Sequence, residues 1–469
     1  MALILQTLVC VFVFLYTPAQ TAYCHGKPDL NAKQNLNPVF HGETRFVRQV
    51  KNGKLYVAGE AQDAFNVVHL WGTPYEMGYA HGSLVKDEAF RFIQSVWTYM
   101  EQQVVLAING SVHIFKPWFL KEVADKGLDV ALDAEIDVTR PFTGEYFFQE
   151  AKGLADATGL DYKMILRIHM IGELTKGDCS MVGAWGSAVK QPGSLLQLRA
   201  LDWNTDGPFK DFPQVTVYHP SDPKYGHAFA NIGWTGWFGS ITGFNSKQMA
   251  ISEIGVSFPD ASFGSESRFG IPFTYILRDV LQFDSSLSDA MHRMKNAHRT
   301  CDLILGVGDA KVKTTLRTFA IVVLVYLVSY CKVQDSWQNP QFSLAFKILR
   351  VWGPNFYTDT DMEPEASWHP KVKDIVYYGM DWLCPGFSEV LARQLTKHHG
   401  NLSPDVVIRD VVSIEQSGSL HIAVYDLSNN QVYIANARGT YESGPLDAFD
   451  RTFVQLNTTA LFEVQPPQV

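Results

Sequence analysis

Cys179 is the side chain in this sequence best placed to act as a nucleophile. It follows Asp178 at the end of a helix-patterned run over 162–176 and precedes an apolar segment over 181–189. A turn, Gln191-Pro192-Gly193-Ser194, leads to a second apolar segment, 195–201, which runs into Arg199-Ala200-Leu201-Asp202-Trp203. Two strands joined by a Pro-Gly turn predict a hairpin, so the start of the first strand lies near the end of the second. Cys179 is therefore expected beside Arg199 and Asp202. The thiolate is the reactive form of Cys, and a neighbouring cation lowers its pKa. Arg199 supplies such a charge and Asp202 would orient a base. A cut between Asp178 and Cys179 would free an α-amine, which titrates near ~7.7–8.0 and can take the thiol proton of its own residue. The competing reading is a buried structural Cys, which the Arg-x-x-Asp partner disfavours.

The elements around this cluster change character at Cys179. A polar arm over 24–46 is followed by strand-like stretches within 54–70. A helical pattern begins at Tyr75 and includes His81, read as a structural histidine. Further helices are predicted over 115–132, over 142–157 with Gly159 as C-cap, and from an Asp161 cap towards Cys179. Residues 23–178 thus read as mostly helical, and residues 179–469 as mixed. Strands are expected over 214–220, 227–232, 238–244, 248–258 and 303–307, with helices over 272–283 and 286–297. Trp203, Trp234 and Trp237 are candidates to line an apolar acyl pocket, ordinary core packing being the alternative. Glu253 stands in an apolar strand, where a carboxylate is costly unless paired. The run FAIVVLVYLV at 319–328 is too short for a membrane span. Two readings stay open for it: an atypical insertion over about 312–350, or a buried strand pair. Later, helices are expected over 387–397 and 404–414, and a hairpin over 420–427 and 432–437.

Cys179-Ser180 with the Arg199-x-x-Asp202-Trp203 strand end resembles the cysteine N-terminal-nucleophile hydrolases, a group that includes penicillin acyltransferase, choloylglycine hydrolase and acid ceramidase. Three further segments are similar to the acid-ceramidase-like members of the penicillin acyltransferase branch: GTPYEMGYAHG at 72–82, EAKGLADATG at 150–159, and WTGWFGSITGFNSKQMAISEIGVSF at 234–258. The likeness spans roughly residues 40–310. It implies an α+β fold, a four-layer αββα sandwich, with the helical α-segment cut from a catalytic β-chain at Asp178–Cys179 and the two chains staying associated. It implies a hydrolase of non-peptide amide bonds, acting on an N-acyl lipid or acylated amine through a Cys179 thioester, with no cofactor and no metal. By the same likeness Glu253 takes a positioning or oxyanion-side role. An oxyanion Asn is also implied late in the chain; Asn436 and Arg438 are in range, and neither is assigned. A phospholipase-B-like acyl-ester hydrolase or an acyltransferase shares the thioester chemistry. A non-catalytic secreted lipid-binding protein is the reading from a different class.

Composition narrows the field. An apolar share of 46% is ample for a core, and a net charge of −9 speaks against nucleic acid as a partner. Small-molecule or lipid substrates remain, with transient contact to a membrane surface. Residues 1–22 read as a secretory signal peptide, so the protein is expected to be secreted or lysosomal. Asn109, Asn401 and Asn457 head N-x-S/T triplets, the pattern for glycosylation. Removal of the signal leaves Cys24, Cys179, Cys301, Cys331 and Cys384, an odd set in an oxidising compartment, with Cys179 expected unpaired.

Overall fold

The computed structural model describes residues 27–111, 115–174, 178–255, 268–298, 300, 303–311, 319–324, 369–380 and 384–468. Residues 1–22, read above as a signal peptide, Cys24, Cys301, Cys331 and most of the 312–350 run lie outside them.

Among the described residues the chain forms two sheets. The larger runs β1 (Arg45–Val50), β2 (Gly53–Ala58), β3 (Phe65–Gly72), β6 (Pro213–Pro220), β7 (Phe229–Trp234), β8 (Gly243–Asn245), β9 (Met249–Gly255), β10 (Leu303–Asp309) and β11 (Phe319–Leu324), in that spatial order. The smaller runs β12 (Ile375–Tyr378), β4 (Asp178–Ala184), β5 (Leu196–Asp202), β13 (His421–Asp426), β14 (Gln431–Asn436) and β15 (Val454–Asn457). Neighbours pair antiparallel except β3 and β6, which run parallel. That one pair needs a long crossover, and the chain supplies it with a stack of helices.

Those helices are α1 (Pro74–Leu84), α2 (Lys86–Ile108), α3 (Pro117–Lys126), α4 (Leu128–Thr139), α5 (Glu145–Thr158), α6 (Tyr162–His169) and α7 (Ile171–Leu174). α8 (Phe273–Phe283) and α9 (Leu287–Asn296) follow on the same side. Thr73 caps α1 in a reciprocal capping box with Glu76. α1 crosses α5 at glycines: a Cβ on Gly78 would sit 2.0 Å from the Glu150 carbonyl oxygen, and one on Gly153 would sit 2.1 Å from that of Tyr75. The outer layer of the small sheet is α10 (Pro385–Lys397) and a helix of three parts: α11 (Pro404–Val406), a π-helical run (Val407–Val412) and α12 (Ser413–Glu415). α13 (Thr458–Glu463) closes the chain.

The two sheets stack, and strand alternation shows how. Val182, Leu198, Ile422 and Val424 pack with Leu391, Leu395 and Val411 of the outer helices. Their neighbours Cys179, Met181, Leu201, Ala423 and Tyr425 join the main core on the opposite face. Gln197 donates to Ser252 Oγ across the gap between the sheets at 2.7 Å. The result is helix, sheet, sheet, helix: the αββα sandwich expected from the sequence.

Several local expectations hold and others shift. Gly159 caps α5 in the left-handed region and Asp161 caps α6. The 115–132 helix is broken at Gly127, whose φ is +95°. The first hairpin strand ends at Ala184 rather than Val189, which instead forms a bridge to Leu402. Residues before Cys179 are not helical alone, since β1, β2 and β3 belong to the large sheet. Within the apolar run, Phe319–Leu324 is a strand paired to β10.

Candidate active site

β4 and β5 pair in a register that sets Asp178 opposite Asp202, Cys179 opposite Leu201 and Met181 opposite Arg199. The row continues through His421 on β13 to Asn436 on β14. Cys179 and Arg199 are thus diagonal neighbours on the face between the sheets. Cys179 is a free thiol, 1% exposed; Cys384 is disulfide-bonded.

Arg199 is fully buried and donates from Nη2 to Glu253 of β9 at 2.9 Å. The expensive carboxylate of the sequence reading is therefore paired, and the pair joins the two sheets. Arg199 acts on the Cys179 thiol through its charge, while its Nε and Nη1 have no hydrogen-bond partner among the described residues. Burial nevertheless pushes the thiol well above its ordinary value; Arg199 pulls it down, while the charges of Glu253 and Asp202 push it further up. Arg199 thus pulls the thiol in the direction expected of it without activating it in the uncut chain. The cation acts in the expected direction, but desolvation outweighs it and Glu253 offsets much of its charge.

Asp202 sits three residues from Arg199, so its side chain leaves the opposite face of β5. Its carboxylate accepts from the Ser417 hydroxyl and from the backbone N–H of Gly418 (2.9 Å) and Ser419 (3.0 Å). Burial raises its pKa against the pull of those donors. Asp202 is close enough to act on the thiol: its charge pushes the thiol pKa up and its backbone N–H pulls it down.

On that same helix-side face the structure brings in Met380 and Glu415, which sequence reasoning did not single out, and gives Ser180 its partners. Ser180 Oγ donates to Glu415 Oε1 at 2.6 Å, and the Met380 N–H donates to Ser180 Oγ at 3.0 Å. The Cys179 N–H donates to the Met380 carbonyl at 3.0 Å. Glu415 is fully buried, and burial holds its carboxyl well above the ordinary range, with the Asp202 charge adding to the effect. No local motif marks Glu415; it reaches β4 from 235 residues away.

The three tryptophans form one aromatic group. Trp203 meets Phe209 edge-on at 6.3 Å, Phe209 meets Trp234 at 4.8 Å, and Trp234 meets Trp237 at 5.7 Å. Trp234 also lies 5.7 Å from the His421 ring, which stands in the Cys179 row. His421 Nε2 pairs with Thr242 Oγ1 at 2.8 Å. A cleft of about 630 Å³ has Arg91, Lys210, Phe212, Thr235 and Tyr441 in its wall; neither Cys179 nor any of the three tryptophans lines it. His81 is structural as expected: its Nε2 accepts from the Gly236 N–H at 3.2 Å. Asn109, Asn401 and Asn457 are all exposed. Among the described residues no group of three or more His, Cys, Asp or Glu side chains is arranged to hold a metal.

No family model matches the sequence. Among solved structures, a Caenorhabditis elegans N-acylethanolamine-hydrolyzing acid amidase ortholog is 11% identical with a TM-score of 0.32, covering 53% of this chain and 93% of that one. Penicillin V acylase from Agrobacterium tumefaciens is 14% identical with a TM-score of 0.30, covering 55% and 83%. Neither likeness is close enough to bear on the site. Sequence relatives are much nearer. Protein dcd1A of Dictyostelium discoideum is 32% identical over 475 residues, 98% of each chain. Protein dcd1B of the same organism is 34% identical over 441 residues, 92% of this chain and 81% of that protein. Identity at this level across nearly the full length means that the chain belongs to the dcd1 protein family.

Proposed function

We propose that this protein is a self-processing hydrolase of non-peptide carbon–nitrogen amide bonds, with Cys179 as its N-terminal nucleophile. The observation that carries the reading is the free Cys179 thiol at the start of β4, set against an Arg199 guanidinium that Glu253 fixes from the opposite sheet. In the processing step the Cys179 sulfur attacks the Asp178 carbonyl carbon. The Asp178–Cys179 C–N bond breaks as a thioester forms, and the thiol proton passes to the nitrogen. Water then cleaves the thioester, leaving an Asp178 carboxylate, the thiol and a free α-amine on Cys179. In turnover the α-amine takes the thiol proton, the sulfur attacks the acyl carbonyl, and the departing amine leaves with a proton. Water releases the acid from the thioester.

Several features support a substrate with an apolar acyl chain. Trp203, Trp234 and Trp237, joined through Phe209, form an aromatic wall linked to the Cys179 row through His421. N-acyl lipids and acylated amines fit this chemistry. In this proposal the protein is secreted or lysosomal and carries glycans on Asn109, Asn401 and Asn457. The segment before Cys179 stays bound to the rest after the cut.

The test is a reducing gel with N-terminal sequencing of the larger fragment, for wild type and Cys179→Ala. Splitting of the wild type alone, with a fragment beginning Cys-Ser-Met-Val, supports self-processing and licenses a screen of N-acyl amines. Equal splitting of the variant assigns the cut to another protease. A wild type that stays whole under acidic and neutral conditions removes the reading.

A further inference from the structure

We infer that Ser180 and Glu415 form a clamp that fixes the nitrogen of Cys179 through the Met380 carbonyl, which makes Glu415 a positioning residue for both the cut and the later turnover. The inference rests on the proposed function, because it concerns the nitrogen that leaves in processing and then serves as base.

Three hydrogen bonds link the helix layer to that nitrogen. Glu415 Oε1 accepts from Ser180 Oγ (2.6 Å), Ser180 Oγ accepts from the Met380 N–H (3.0 Å), and the Met380 carbonyl accepts from the Cys179 N–H (3.0 Å). The partners of this chain are buried throughout. Met380 has φ +65°, a backbone conformation that a non-glycine residue adopts only when its surroundings impose it. The neighbouring Gly379 leaves no room for a side chain: a Cβ there would lie 3.0 Å from Glu415 Oε1 and 3.0 Å from the Ser388 nitrogen. The strand end is thus pressed onto the Glu415 carboxyl, and the carboxyl reaches it directly after a π-helical run, a helix form that recurs at functional sites.

The clamp does chemical work at both stages. During processing the Cys179 nitrogen must turn pyramidal and accept a proton while its carbonyl partner moves to sulfur. With one N–H held on Met380, the lone pair is aimed rather than free to rotate. After the cut the same carbonyl holds one hydrogen of the α-amine, so the amine meets the thiol in one orientation. Burial favours the neutral form of Glu415. It sits beside Asp202, whose charge opposes a second carboxylate, and its Oε2 has no partner among the described residues. The Ser180 hydroxyl needs an acceptor at this point, and the Oε1 of a Gln side chain provides one in the same place.

The experiment follows conversion of the full chain on reducing gels across acidic to neutral pH for wild type, Ser180→Ala, Glu415→Gln and Glu415→Leu, with Cys179→Ala as the uncut control. Alkylation of Cys179 by iodoacetamide in the cut protein, as a function of pH, is the second readout. Ser180→Ala and Glu415→Leu are expected to cut about tenfold more slowly, the loss of one hydrogen bond's worth of orientation, and to shift the pH dependence of alkylation. Glu415→Gln is expected to cut within about threefold of wild type, with the wild-type pH dependence. If Glu415→Gln is as slow as Glu415→Leu, the carboxyl works as an anion and the inference is overturned. Wild-type rates and pH dependence in Ser180→Ala also overturn it, and this variant decides the matter where Glu415→Leu does not fold. A Cys179→Ala chain that splits like wild type removes the self-processing reading instead, whatever the clamp variants do.

Discussion

Arg199 on β5 and Glu253 on β9 meet at 2.9 Å across the gap between the two sheets, both out of contact with solvent. Two buried charges that belong to different layers tie the layers together and fix the cation beside the thiol. Breaking such a pair leaves an uncompensated charge, which costs about 3–5 kcal/mol, whereas replacing both partners is often close to neutral. In a Cys179→Ala background, Glu253→Leu is expected to lower the unfolding free energy by about that amount. Arg199→Met combined with Glu253→Leu is expected to recover most of it. Urea unfolding of the two variants decides. A double variant no more stable than the single one would mean that the pair is not what Glu253 contributes.

The uncut chain should hold its thiol back. Cys179 is 1% exposed and burial raises its pKa, so at pH 8 the thiolate is scarce and the reagent has no path to it. Iodoacetamide labelling of Cys179 in the intact chain is expected to be at least about a hundredfold slower than in the same chain in denaturant. Peptide mapping against Cys179→Ser gives the rate. Fast labelling of the intact chain would contradict the described burial.

Glu135 on α4 offers a pH dependence away from the site. Burial lifts its carboxyl from 4.5 to about 7, against the pull of Arg268. The folded chain therefore holds this proton more tightly than the unfolded chain. The resulting stability is fully present below about 4.5 and is lost as pH rises through about 7. Glu135→Gln keeps the group neutral throughout. It should stabilise the fold by about 2–3 kcal/mol at pH 8 and by little near pH 4. Urea midpoints at the two pH values test this, and an equal shift at both would count against it.

The α1–α5 crossing has no slack. Gly78→Ala and Gly153→Ala would each drive a Cβ to about 2 Å from a backbone carbonyl oxygen of the facing helix. Relief requires the helices to part, so a loss near the upper end of the ~1–3 kcal/mol range for overpacking is expected for each. Thermal unfolding reads it; an unchanged melting temperature would show that the helices separate freely.

The sequence made part of this site legible and hid the rest for physical reasons. The Pro-Gly turn and two apolar runs sufficed to place Cys179 beside Arg199, because pairing in a hairpin is local. The isolated carboxylate in β9 announced that Glu253 must have a partner, though not which one. Asp202 is expected beside Cys179 together with Arg199, and a spacing of three in a strand sends its side chain to the opposite face from that of Arg199, a rule the sequence already contains. β1 went unread because it lies at the sheet edge with nearly every side chain exposed, so it shows no alternation. Glu415 and Met380, and the bonds that Ser180 makes to them, were invisible for another reason: these contacts depend on how distant segments stack, and no periodicity encodes that.

β3 lies before the proposed cut and β6 after it, and the two share a parallel ladder from Asn66 opposite Gln214 to Gly72 opposite Pro220. While the chain is whole, unfolding and refolding are both first-order. A break at Asp178 changes the molecularity. In reductant the two pieces would still unfold together, but rebuilding that ladder would become a bimolecular encounter whose rate falls with dilution. Processing would then act as a ratchet: a molecule matured and later denatured at low concentration would not return, while its unprocessed precursor would.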